Sequence, residues 1–195
     1  MSSTDILTFD EASHTYRFRG MVVPGVTSVL SPLSDFSRIN PEVLAAKADL
    51  GKRVHMACEF DDDGDLDEGS VEEDVGPYLT AYRRFKSENG VLVLLNEHQV
   101  FDAGLMYAGT LDRVMVLNRS RWLVDLKTCF TTPRSAGPQT AAYLRALNDP
   151  TVARRAALRL KPDGTYAFEP LTAPDDWAIF MACLTLHRFN RRLAA

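Results

Sequence analysis

The chain has 195 residues, of which 46% are hydrophobic and 25% are charged. This composition excludes a disordered chain, a collagen-like fibre and a disulfide scaffold, and the length predicts a single domain spanning residues 1–195. No apolar run approaches the roughly 18 residues of a transmembrane helix, and the first residues lack the pattern of a signal peptide. Together with three widely spaced cysteines that fit reduced thiols, these features predict a cytoplasmic protein with no membrane partner.

The charge is unevenly distributed along the chain. The net charge is -4, from 22 basic and 26 acidic residues. Residues 61–74 hold nine acids and no base, and the remaining chain carries 22 basic and 17 acidic residues, a net charge of +5. A positive net charge outside the acidic segment is compatible with a polyanion partner. We expect the acidic segment to be a mobile, solvated loop, with an electrostatic gate against a polyanion as the alternative.

The first part of the chain predicts two short strands around the turn Arg19-Gly20, followed by a break at Pro24-Gly25. Thr27 or Ser28 is a candidate cap for the segment that follows.

Two helices are then predicted. The first begins at Asn40-Pro41, a good cap followed by a good first residue, and runs to Phe60. Gly51 within it indicates a break or a close contact. The second helix begins at Pro77 and ends at Gly90.

The second half of the chain is predicted to be rich in strands. Residues 107–128 form two β-rich runs separated by a turn at residues 118–120. A helix from Gln139 stops at residues 148–150, a strand pair surrounds residues 162–164, and an amphipathic helix begins near Asp175. The order predicts an α/β fold, with a mixed sheet and helices on both faces.

The hairpin at residues 107–128 carries the main chemical signal. A turn centred on Arg119 pairs residues whose numbers sum to about 238, which places Asp112 opposite Leu126 and beside Asp125. Because side chains alternate along a strand, Asp125 and Lys127 share a face. Two carboxylates on an otherwise apolar hairpin repel each other unless a cation lies between them, and a divalent metal is the natural partner. The alternative is an edge strand with an ordinary ion pair.

Two helical pairs accompany this hairpin. His55 and Glu59 lie four residues apart on one helix face, and so do Gln139 and Tyr143. A histidine on an apolar helix is more often a core residue than a metal ligand, and a pair such as Gln139 and Tyr143 is usually one surface residue and one core residue. His55 is a candidate metal ligand because the two carboxylates of the hairpin lack a third ligand.

Four ordered motifs resemble the PD-(D/E)XK nuclease superfamily in its RecB-like exonuclease branch. They are GTLDRV at residues 109–114, VDLKT at 124–128, Gln139-x-x-x-Tyr143 and Gly51-x-x-x-His55. The opening at residues 14–30 also resembles small phage and prophage proteins of that type. The resemblance extends to Tyr143 and implies a restriction-endonuclease-like fold, a mixed β-sheet core flanked by α-helices. The last fifty residues have no counterpart in it.

The resemblance also implies roles for individual residues. It assigns Mg²⁺ or Mn²⁺ to a site formed by His55, Asp112, Asp125 and the carbonyl of Leu126. Lys127 matches the catalytic lysine. Three further catalytic positions are implied on helices, namely Gln139, Tyr143 and, in some members of the family, Glu59. The sequence shows no helicase segment and no cysteine set for an iron–sulfur cluster, so we expect a free-standing nuclease module.

The sequence therefore predicts a metal-dependent DNA nuclease, an exonuclease of phage or bacterial recombination or repair. DNA is the expected partner, and a recombination or replication protein is a further candidate partner. Two alternatives stay open: a structure-specific endonuclease of the same fold, and a non-catalytic nucleic-acid-binding or protein-binding module.

Overall fold

The structure is a computed structural model that describes residues 7–34 and 39–193. Eight strands and five α-helices in these ranges follow one another along the chain in this order: β1 (Leu7–Asp10), β2 (Thr15–Phe18), β3 (Met21–Val23), α1 (Val26–Val29), α2 (Pro41–Asp63), α3 (Gly76–Asn89), β4 (Leu92–Asp102), β5 (Tyr107–Leu117), β6 (Ser120–Lys127), α4 (Ala136–Leu147), β7 (Val152–Leu160), β8 (Tyr166–Pro170) and α5 (Asp176–Leu193).

The strands form two sheets. The small sheet is antiparallel, in the order β1-β2-β3, and the large sheet is mixed, in the order β4-β5-β6-β7-β8. Among these eight strands of the described residues, only β6 and β7 pair in parallel, and α4 connects them. Parallel neighbours need a crossover of this kind because the end of the first strand and the start of the second lie at opposite ends of the strand pair. The predicted α/β fold with a mixed sheet is confirmed.

The small sheet and the helix after it each differ from the prediction. The turn Arg19-Gly20 is present, with φ of 51° and 78°, but β1 adds a third strand before the predicted pair. Thr27 and Ser28 lie inside α1, whose N-cap is Gly25, and no side chain caps this helix. The prediction of a Thr or Ser cap is therefore wrong, because the helix begins two or three residues earlier, directly after Pro24.

Helix α2 begins as predicted and ends later. The Asn40 side chain accepts a hydrogen bond of 2.8 Å from the Glu42 backbone N–H. The helix continues through Gly51, where an added Cβ would lie 3.6 Å from Thr128 Oγ1, so this turn of α2 lies against the end of β6. The helix ends at Gly64, whose φ of 77° suits glycine. Residues 61–63 of the predicted acidic loop are thus the last turn of α2.

Two hydrophobic clusters cover the large sheet. Helices α2 and α3 contribute to one of them together with strand residues such as Met115 and Leu126. Helices α1, α4 and α5 contribute to the other, which includes Leu123 and Phe180. Helices therefore pack on both faces, as predicted.

None of the helices in the described ranges is both long enough and apolar enough to cross a membrane.

Candidate metal centre

The β5–β6 hairpin has a register one residue away from the prediction. Its paired residues sum to 237, because the two turn residues Asn118 and Arg119 both have positive φ, 50° and 61°. A two-residue turn with this backbone is the usual connection of a tight hairpin. The same register, continued, brings Asp112 level with Asp125 instead of Leu126. The two carboxylates then share one face of the sheet.

Asp112 is anchored to the neighbouring strand by its own carboxylate. Oδ2 accepts a hydrogen bond of 2.6 Å from the Leu126 backbone N–H. The other oxygen, Oδ1, lies 3.8 Å from His55 Nδ1. One carboxylate oxygen of Asp112 thus binds the protein, and the other faces the histidine.

His55 is oriented by the carbonyl of Leu126. Its Nε2 lies 3.2 Å from that oxygen, and because a carbonyl only accepts, this contact requires the proton on Nε2. Nδ1 then faces Glu97 Oε1 at 3.5 Å and Asp112. Burial lowers the pKa of His55, but the charges of Asp112 and Glu97 outweigh it and the pKa is raised overall. A metal bound at Nδ1 must displace a proton.

Glu97 is the site residue that the sequence reasoning missed. It lies in β4 between two residues paired with β5, at the level of Asp112. Its φ of 40° is unusual for a non-glycine residue within a strand. The ligand atoms of His55, Glu97 and Asp112 all lie within 4.8 Å of one another. The one signal in the sequence is a charged residue between Asn96 and His98, a pattern that any solvent-facing strand can show.

Asp125 is buried beside this group. It is 1% exposed, and its Oδ2 lies 2.7 Å from Lys127 Nζ. Oδ1 has no hydrogen-bond partner among the described residues. Burial raises the pKa of Asp125, Lys127 opposes this and Asp112 adds to it, which gives a pKa of about 6. A buried carboxylate oxygen without a hydrogen-bond partner is suited to bind a cation, so these residues fit a metal ion.

Lys127 remains a cation in this surrounding. Burial lowers its pKa, but the carboxylates of Asp125 and Asp112 raise it above the usual value. The ammonium group therefore stays protonated at neutral pH and acts as a donor, not as a base.

Arg113 connects the site to helix α2. Its side chain is fully buried, and Nη1 donates hydrogen bonds to Glu97 Oε1 at 3.0 Å and to the Asp112 carbonyl at 2.7 Å. Nε donates to Asp62 Oδ2 at 2.7 Å, and Asp62 is only 2% exposed. A guanidinium paired on two sides in this way holds Glu97 in its position.

Gln139 and Tyr143 lie beneath β5. Gln139 Nε2 donates to the Tyr143 hydroxyl at 3.2 Å, and the ring packs against Gly109. A Cβ at Gly109 would lie 2.5 Å from Tyr143 Cε1, so only glycine leaves room for this ring. Burial, and then the charge of Asp112, raises the pKa of Tyr143. The predicted pair is therefore a neighbour of the carboxylate site.

Glu59 is not one of the three residues whose ligand atoms converge. Burial, followed by the charge of Glu97, raises its pKa. It lies near the site, on the same helix as His55.

The acidic segment is paired with basic side chains. Asp61 accepts hydrogen bonds from Arg83 at 2.6 Å and from Lys86 at 2.7 Å. Arg53 binds Asp74 through two nitrogens, at 2.7 and 2.8 Å. Part of the segment is thus paired with arginines and a lysine of α2 and α3, while most of its residues are exposed to solvent.

Comparisons with known proteins leave the family open. No protein-family model matches the chain, and no curated protein does. Among the similar solved structures is the crystal structure of SSO0001, which is 14% identical, with 72% of each chain covered and a TM-score of 0.39. At that TM-score the similarity supports no argument about fold or function.

Proposed function

We propose that this protein is a metal-dependent DNA nuclease, an exonuclease that hydrolyses phosphodiester bonds in phage or bacterial recombination or repair. The observation that carries the proposal is the convergence of His55, Glu97 and Asp112 beside the buried pair Asp125 and Lys127. Three ligand-bearing side chains, an unpaired buried carboxylate oxygen and a protonated lysine are the parts that phosphodiester hydrolysis requires.

The residues divide into two roles. His55, Glu97, Asp112 and Asp125 would hold Mg²⁺ or Mn²⁺. Such an ion polarises the phosphate and lowers the pKa of a bound water. Lys127 donates to the charge that develops on the phosphate, and Asp125 keeps it protonated. Because imidazole suits Mn²⁺ better than Mg²⁺, we expect Mn²⁺ to support activity well.

The topology supports a restriction-endonuclease-like fold as the finer description. Strands β4, β5 and β6 are antiparallel, and α4 then leads to a parallel partner on the far side of β6. The proposed site lies on β4, β5, β6 and α2, and the Gln139–Tyr143 pair lies on the crossover helix. This arrangement agrees with the order of the motifs in the resemblance.

A cytoplasmic location belongs to the same proposal. The three cysteines are free, and Cys58 and Cys183 are buried. Unpaired thiols of this kind suit a reducing compartment.

A cleavage assay tests the proposal. End-labelled linear DNA and closed circular DNA are incubated with Mg²⁺, Mn²⁺ or a chelator, and the Asp125→Asn variant serves as the control for contaminating nucleases. We expect the wild type to degrade linear DNA from its ends, to leave circles intact and to need a metal. Cleavage of circles favours the endonuclease. DNA binding without cleavage in either ion favours the non-catalytic module.

A further inference from the structure

The segment after β6 presents an aromatic side chain to solvent. Phe130 is 93% exposed, more than any other large hydrophobic residue in the described ranges. An exposed phenyl ring does not contribute the favourable free energy of burial that a buried phenylalanine contributes to folding. The fold therefore gives no packing reason for this side chain.

The backbone around Phe130 is nevertheless held in place. Arg159 Nη1 donates a hydrogen bond to the Phe130 carbonyl, and Arg159 Nε donates to Glu169 at 2.9 Å. The Thr132 hydroxyl donates to the other carboxylate oxygen of Glu169. Hydrogen bonds with side chains of β7 and β8 thus hold the segment that carries the ring.

The position of the ring relates it to the proposed site. Phe130 follows Lys127 by three residues, so their Cα atoms lie within about 11 Å of each other. That length corresponds to about three nucleotides along one DNA strand. Arg134, four residues further, is exposed and has no ion-pair partner among the residues that the structure describes. An aromatic ring is thus attached within this distance of the proposed catalytic lysine, and an exposed guanidinium follows it four residues later in the same segment.

We propose that Phe130 stacks on an unpaired base of the DNA substrate while Arg134 contacts a phosphate of the same strand. The inference rests on the proposed nuclease function and names its substrate class, DNA with unpaired nucleotides at the end that is cleaved. Stacking on an aromatic side chain accepts any base, because every base has a π-face. Bases within a duplex are already stacked on one another, so the ring favours single-stranded or frayed ends.

The test compares Phe130→Ala and Phe130→Trp with Phe189→Ala, which removes another exposed phenylalanine from α5. Binding of a fluorescent single-stranded oligonucleotide is measured by anisotropy, and KM and kcat are measured on single-stranded and blunt duplex DNA. We expect Phe130→Ala to weaken binding and raise KM for the single strand by roughly 5- to 140-fold. Its kcat should stay within about twofold, Phe130→Trp should restore binding, and Phe189→Ala should match the wild type.

Arg134→Ala supplies an independent measurement. It should weaken binding to every DNA and reduce the slope of log affinity against log salt by about one. Wild-type binding by Phe130→Ala overturns the stacking role. A wild type that neither binds nor cleaves DNA overturns the proposed nuclease as well, so the two failures are distinguishable.

Discussion

Arg113 donates a hydrogen bond of 3.0 Å to Glu97 from a position with no solvent exposure. The arginine directly follows Asp112 on β5, and the same Nη1 also donates to the Asp112 carbonyl at 2.7 Å, so one side chain contacts two carboxylate residues of the proposed metal centre. The opposite edge of the guanidinium binds Asp62, near the end of the helix that carries His55. A single buried cation therefore links Glu97 and Asp112 to the helix that carries His55.

Replacement of this cation tests its positioning role. Arg113→Met should lower metal affinity by about 10- to 100-fold, because Glu97 loses the group that orients it. It should also destabilise the protein by about 3 kcal/mol, since Asp62 stays buried with fewer partners. Arg113→Lys retains the charge and should recover part of the affinity. The measurements are titration calorimetry with Mn²⁺ and thermal denaturation.

Tyr82→Phe is the matched control for this position. Its hydroxyl donates to Asp62 at 2.7 Å, but it is not among the residues whose ligand atoms converge. This variant should lose stability and keep its metal affinity. A folded Arg113→Met protein with wild-type affinity would show that the arginine is only structural.

The proposed catalytic residues can be tested without loss of the fold. Asp112→Asn, Asp125→Asn and Lys127→Ala should each reduce cleavage by at least about 100-fold. Asp112→Asn retains an oxygen that can accept from the Leu126 N–H and relieves the repulsion with Asp125, so its metal-free melting temperature should equal or exceed that of the wild type. Rates are measured on end-labelled DNA, and wild-type rates in any of the three purified variants would contradict the assignment.

The ligand set can be tested by metal binding alone. His55→Ala should weaken Mn²⁺ binding more than Mg²⁺ binding, because only the imidazole distinguishes the two ions. Glu97→Gln should weaken both ions to a similar extent. Glu59→Gln, on the same helix as His55 but outside the converging group, should change neither. A larger loss of metal affinity in Glu59→Gln than in Glu97→Gln would contradict this ligand set. It would show that Glu59, which the family resemblance implies, binds the metal and that Glu97 does not.

The ion pairs of Asp61 predict a pH dependence of stability. Burial raises the pKa of this carboxyl, but hydrogen bonds from Lys86 and Arg83 outweigh it and lower the pKa below 3.8. A lowered pKa in the folded state stabilises the protein above the unfolded pKa, and this contribution is lost as the pH falls through the folded value. Asp61→Asn should thus cost about 1–3 kcal/mol at pH 7.

The difference between wild type and Asp61→Asn should stay constant down to about pH 5 and shrink below about pH 4. Urea denaturation at several pH values measures it. Glu73→Gln, an exposed acid of the same segment, serves as the control and should be neutral at every pH. A difference that persists unchanged at pH 3 would show that the ion pairs do not stabilise this segment.

Several elements could be predicted from the sequence because their signals are local. Asn40 caps α2, and Gly90 and Asn148 end helices with φ of 56° and 50°. Each of these residues favours its conformation through its own side chain or through the lack of one. Weaker local signals failed: β1 was missed, and the hairpin register was off by one because both Asn118 and Arg119 adopt positive φ.

The candidate site divides in the same way. The sequence by itself indicated His55, Asp112, Asp125 and Lys127, because strand alternation and motif order relate residues that lie near one another in the chain or match a known pattern. Only the tertiary structure showed Glu97, since its role depends on β4 pairing with β5 and on a buried arginine that holds it. It also showed that Asp61 and Asp74, in the acidic segment after His55, bind arginines and a lysine. Such partners are 20 or more residues apart, and no local preference of the chain specifies them.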